Sequence, residues 1–112
     1  MISHHTALQE AIKFKLENDG YFVARGLSFK EVKELEGRIG KKFDFSGPKN
    51  YPDLIAWKNG ELLVIDIKRK GGEQFFIEKI ENYKRNFPDA KIIIWIDIDT
   101  ENVEIRGLES IY

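Results

Sequence analysis

A chain of 112 residues is long enough to bury one core and too short for two, so residues 1–112 read as a single domain. Hydrophobic residues make up 42% and charged residues 33%, and no run of about eighteen apolar residues occurs, which excludes a membrane-spanning helix. The net charge of −1 tells against bulk electrostatic coating of nucleic acid, and the absence of cysteine excludes disulfides and thiolate zinc sites.

The opening MISHHTALQE lacks the basic start and apolar stretch of a signal peptide, so a cytoplasmic location is expected. His4 and His5 read as a loose terminus. Thr6-Ala7-Leu8-Gln9 fits a capping box. Ala7, Leu8, Ala11, Ile12 and Leu16 then follow at helical spacing, and Asp19-Gly20 ends the helix. Residues 21–25 form a short apolar strand. Ser28-Phe29-Lys30-Glu31 is a second capping box, and Phe29, Val32, Leu35 and Ile39 carry an amphipathic helix to Gly40. Residues 41–50 hold Gly47 and Pro48 without a period and read as a loop.

Residues 51–70, YPDLIAWKNGELLVIDIKRK, read as one β-hairpin. Asn59-Gly60 is the signal, because both central residues of a type I′ turn need positive φ. A two-residue turn there sets Lys58 against Glu61, Ile55 against Val64 and Asp53 against Asp66. Strand alternation sends Lys68 to the same side as the two carboxylates. Directly opposed residues bring their Cβ atoms to roughly 4.5–5.5 Å, where like charges destabilise the pair. Two aspartates set against each other among Ile55, Val64, Ile65 and Ile67 therefore point to a cation held between them. Mg²⁺ is typically held by one or two carboxylates and completes its shell with water and phosphate oxygens.

Gly71-Gly72 breaks the second strand of the hairpin, and residues 75–87 read as a third helix, closed by Pro88. Residues 91–98, KIIIWIDI, are nearly all β-branched or aromatic, which predicts a central strand buried on both faces. A turn follows, then a last short strand over 103–106. The order is α-β-α-β-β-α-β-β, with no repeats or linkers.

Pro52-Asp53, followed by Asp66-Ile67-Lys68 late in the next apolar strand, resembles the signature of PD-(D/E)XK nucleases. Those enzymes are built on a helix, a three-stranded antiparallel meander, a second helix and a further strand that joins the sheet. The present order matches across most of the chain, with the helix over 29–39 as an insertion. KLENDGYFVAR is similar to the helix-to-strand passage of archaeal Holliday junction resolvases, and Ile80-Glu81-Asn82-Tyr83 is similar to the end of a helix motif in RecB-like nucleases, with Lys79 in place of its glutamine. The resemblance implies an α/β, restriction-endonuclease-like core, a central mixed β-sheet flanked by helices.

It also implies roles. Asp53 and Asp66 bind Mg²⁺ or Mn²⁺, with the Ile67 carbonyl as a further ligand. Lys68 orients or deprotonates the attacking water. A first-helix acid, Glu10 if the frame slips by one from Gln9, completes the metal shell. Lys41, Lys42, Lys49, Arg69 and Lys70 bracket the hairpin and are candidates for DNA phosphates, while Gln74 and Tyr83 are candidates to support them. DNA is the expected partner, with no membrane, and a homodimer would set two sites against two strands. The readings that remain are a metal-dependent DNA endonuclease, a catalytically weak or inactive nucleic-acid-binding module of the same fold, and a non-enzymatic interaction protein.

Overall fold

The computed structural model describes residues 4–43, 51–69 and 76–97. Three helices and four strands follow one another as α1 (His4–Asn18), β1 (Phe22–Arg25), α2 (Phe29–Ile39), β2 (Leu54–Lys58), β3 (Glu61–Arg69), α3 (Phe76–Asn86) and β4 (Lys91–Asp97). The strands form one sheet in the order β1-β2-β3-β4. The first three pair antiparallel, and β4 returns through α3 to lie parallel to β3. This is the α/β mixed sheet with flanking helices that the resemblance implies. Among the described residues, no helix is long and apolar enough to cross a membrane.

The hairpin holds the sheet in register. Asn59 and Gly60 both take positive φ, 49° and 85°, as a type I′ turn requires. Lys58 pairs with Glu61 and Ile55 with Val64, the expected register. Alternation along each strand then divides the apolar residues between two faces. Leu8, Ile12 and Leu16 of α1 cover Val23, Leu54, Ala56, Leu63, Ile65, Ile67 and Ile93. Val32 and Leu35 of α2, with Ile80 and Tyr83 of α3 and Phe87 just beyond it, cover Ala24, Ile55, Val64 and Ile92 on the other side.

Several local expectations change. Helix α1 begins at His4, so Thr6 lies inside it and is not its cap, and His4 and His5 are helical. The second box is half realised. Ser28 Oγ accepts from the Glu31 N–H at 3.3 Å, but the Ser28 N–H donates to the Arg25 carbonyl at 3.0 Å, and the Glu31 carboxylate takes the Arg25 N–H and guanidinium. The strand over 91–98 is an edge strand among the described strands, because β2 and β3 occupy the centre. The final strand over 103–106, like Gln74, lies outside the described residues.

Candidate active site

The two aspartates enter from the same end of the hairpin. The last paired residues of β2 and β3 are Leu54 and Ile65, and one further step sets Asp53 beside Asp66. Asp66 follows Val64 on the face covered by α2 and α3, and it is 1% exposed. Asp53 lies just before β2, and its Oδ2 accepts from the Ile67 N–H at 2.7 Å. That bond carries Asp53 across to β3 and fixes its carboxylate to the strand that bears Asp66.

Tyr83 closes the site from α3. Its hydroxyl lies 3.3 Å from Asp66 Oδ2 and 3.4 Å from the Tyr51 carbonyl, both acceptors. Burial pushes the phenol pKa well up, and the negative charges of Asp66 and then Asp53 push it further. The hydroxyl therefore stays protonated at any working pH and is a permanent donor. The hairpin register and the Ile67 N–H bond set the two carboxylates side by side at this end of the sheet. Among the described residues, no buried side-chain nitrogen or oxygen lacks a hydrogen bond, so the arrangement is internally satisfied.

The β1–α2 turn supports the same corner. The Gly26 N–H donates to the Asp53 carbonyl at 3.0 Å. A Cβ at Gly26 would lie 1.8 Å from the Pro52 carbonyl oxygen, so only glycine lets the two segments approach. Gly26 carries no motif that marks it in the sequence. Its signal was a glycine directly after an apolar strand, where close backbone approach is one common cause.

The donors suit a hard cation. Two carboxylates offer oxygen ligands only, which fits Mg²⁺ or Mn²⁺ and disfavours soft, thiolate-seeking metals. Neither a protein-family model nor a curated protein matches the chain. The chain is similar to a solved structure. It is that of Hjc from Archaeoglobus fulgidus, a Holliday junction resolvase from an archaeal hyperthermophile, solved at 1.6 Å. The match covers 84% of this chain and 70% of that one, at 16% identity and a TM-score of 0.49.

The other candidates are distributed differently. Glu10 is not gathered with the aspartates. Its Oε1 pairs with Arg25 Nη1 at 3.1 Å, and among the described residues no group of three or more His, Cys, Asp or Glu could hold a metal. Arg25 in turn is gripped by Glu31 at 2.8 Å, so α1, β1 and α2 are tied at one point. The Lys68 backbone lies in β3 opposite Ile96, two residues beyond Asp66. Its side chain and that of Arg69 are outside the described part, as are Lys49 and Lys70 altogether. Lys41 is engaged by Asp89 at 2.8 Å, while Lys42 is exposed.

Proposed function

We propose that the chain is a divalent-metal-dependent nuclease that hydrolyses phosphodiester bonds in DNA. The observation that supports it is the placement of Asp53 beside Asp66 at one end of the hairpin, one carboxylate held by a strand N–H and the other buried against the Tyr83 hydroxyl. Hydrolysis sends water against an already anionic phosphate and expels an alkoxide. Bound Mg²⁺ or Mn²⁺ supplies Lewis-acid polarisation of a phosphoryl oxygen and lowers the pKa of its water.

The chain's own residues do the rest. Asp53 and Asp66 provide the negative charge that retains the cation, and the Ile67 carbonyl provides a further oxygen. Tyr83 holds Asp66 in place through its permanently protonated hydroxyl. Lys68 orients or deprotonates the attacking water and offsets charge on the pentacoordinate phosphate. Glu10 adds a third carboxylate once released from Arg25. Lys41, Lys42, Lys49, Arg69 and Lys70 take backbone phosphates, and two copies act as a homodimer.

One observation favours a second reading, a DNA-binding module with weak or no turnover. It is the engagement of Glu10 by Arg25, with no third metal-binding group among the described residues. A labelled panel of single-strand, duplex, flap and four-way-junction DNA, incubated with Mg²⁺ or Mn²⁺, separates the two. Metal-dependent cutting is expected. Asp66→Ala and Lys68→Ala should each reduce it by about a thousandfold or more, the equivalent of several kcal/mol of lost barrier reduction, with the circular dichroism unchanged. An active Asp66→Ala protein would refute the site. Retention of DNA without cutting would select the binding module.

A further inference from the structure

The β1–α2 turn presents two large apolar side chains within three residues. Leu27 is 84% exposed and Phe29 74%. Isolated exposed apolar residues are ordinary, but neighbours bordering a concavity are not. Gly26, Leu27, Phe29, Val32, Phe43 and Tyr51 line a groove of about 490 Å³. That falls within the roughly 300–1,000 Å³ of small-ligand sites.

The groove abuts the carboxylate pair through the backbone. Gly26 at its edge donates to the Asp53 carbonyl. Tyr51, also in its lining, accepts from the Tyr83 hydroxyl that reaches Asp66. The close contact between Gly26 and Pro52 fixes the distance between groove and carboxylates. Lysines adjoin the lining residues. Lys33 Nζ stands 4.7 Å from the centre of the Phe29 ring, over one face, and Lys30 and Lys42 are exposed beside the lining residues Phe29 and Phe43. Of the acids on α2, Glu31 is held by Arg25, and the Glu36 carboxylate accepts from the N–H of the lining residue Phe43 at 2.6 Å, so both are engaged within the fold.

A flat apolar ring, a groove of this size and adjoining lysines are complementary to one chemical object, a π-faced base carrying a phosphate. We propose that the groove receives an unpaired nucleobase, with Phe29 as its stacking platform and Lys30 and Lys33 on the flanking phosphates. The substrate class is then DNA with an unpaired nucleotide beside the scissile phosphate. A continuous duplex is disfavoured because it must first unstack and unpair that base, at a cost of about a few kcal/mol. The position of the scissile phosphate rests on the nuclease reading; the binding of the base does not.

Equilibrium binding in EDTA tests it without cleavage, and so is decided whether or not the chain cuts. The probes are a fluorescein-labelled mixed-sequence DNA strand of about 12 nucleotides, within the usual 4–16 of single-strand sites, and the blunt duplex of the same length. The single strand should bind more tightly than the duplex. Phe29→Ala should weaken single-strand binding roughly tenfold, and Phe29→Trp should retain it. Phe29 is solvent-facing, so both variants should keep the wild-type melting temperature. Equal single-strand affinity in wild type and Phe29→Ala would overturn the proposal, as would tighter binding of the duplex. So would a Phe29→Ala protein whose only change, by sedimentation, is loss of a dimer, which would make the patch a contact between copies.

Discussion

The two faces of the sheet use the same strands for opposite purposes. On the α1 face, Leu8, Ile12 and Leu16 meet Leu54, Leu63, Ile65 and Ile67, an apolar surface throughout. On the α2–α3 face, Ile55 and Val64 begin an equally apolar surface, but two residues further toward that end of the hairpin it ends in Asp53 and Asp66. Nothing in backbone geometry separates Ile65 from Asp66; alternation sends one to each face. The first face is arranged for burial alone. The second gives up part of that gain to hold two like charges beside a tyrosine hydroxyl, a pattern typical of sites that sacrifice stability for chemistry.

The contrast can be broken most forcefully on the apolar face. Leu8 is 1% exposed against the sheet, so Leu8→Ala should lose about 2–5 kcal/mol of stability, measured by urea unfolding. Metal affinity of the folded fraction should be unchanged. Tyr83→Phe acts on the other face. It keeps the ring in its place and removes only the donor to Asp66. Mn²⁺ affinity should fall by about tenfold or more, because groups that orient metal-binding carboxylates typically contribute that much.

Asp66→Asn sharpens the comparison by moving stability and function in opposite directions. It removes one of two neighbouring charges from a buried position. Without metal, the variant should melt a few degrees higher, about 1 kcal/mol, while binding Mn²⁺ poorly. The smallest effect belongs to the Arg25 junction. Burial raises the Glu31 pKa, but the hydrogen bonds and charge of Arg25 outweigh it and leave the net value lowered. A lowered folded-state pKa contributes stability that is present above the unfolded value, near 4.5, and is lost as pH falls through the folded one. Glu31→Gln should therefore flatten the acid limb of the stability–pH curve below about pH 4.5, by under about 1 kcal/mol given its exposed partner.

Much of this architecture was legible because local signals agreed with the global pattern. Asn59-Gly60 specified the turn, the turn specified the register, and the register brought Asp53 to Asp66. Ser28, Gly20 and Gly40 likewise marked helix ends through caps and positive φ. What escaped depends on contacts distant in sequence. The Ile67 N–H that holds Asp53 is fourteen residues away, and the Arg25 that engages Glu10 is fifteen. No periodicity encodes such pairings. The edge position of β4 among the described strands was hidden for a related reason. A run of β-branched residues reports burial by helices on two faces, which an edge strand under α1 and α3 also experiences.

Calorimetric titration of Mn²⁺ into the wild type and Asp66→Asn, at equal protein concentration and with folding checked by circular dichroism, tests the carboxylate pair most directly. Saturable binding to the wild type, lost in a folded Asp66→Asn, is the expected result. Equal binding by both proteins, or none by the wild type, would contradict a cation held between Asp53 and Asp66.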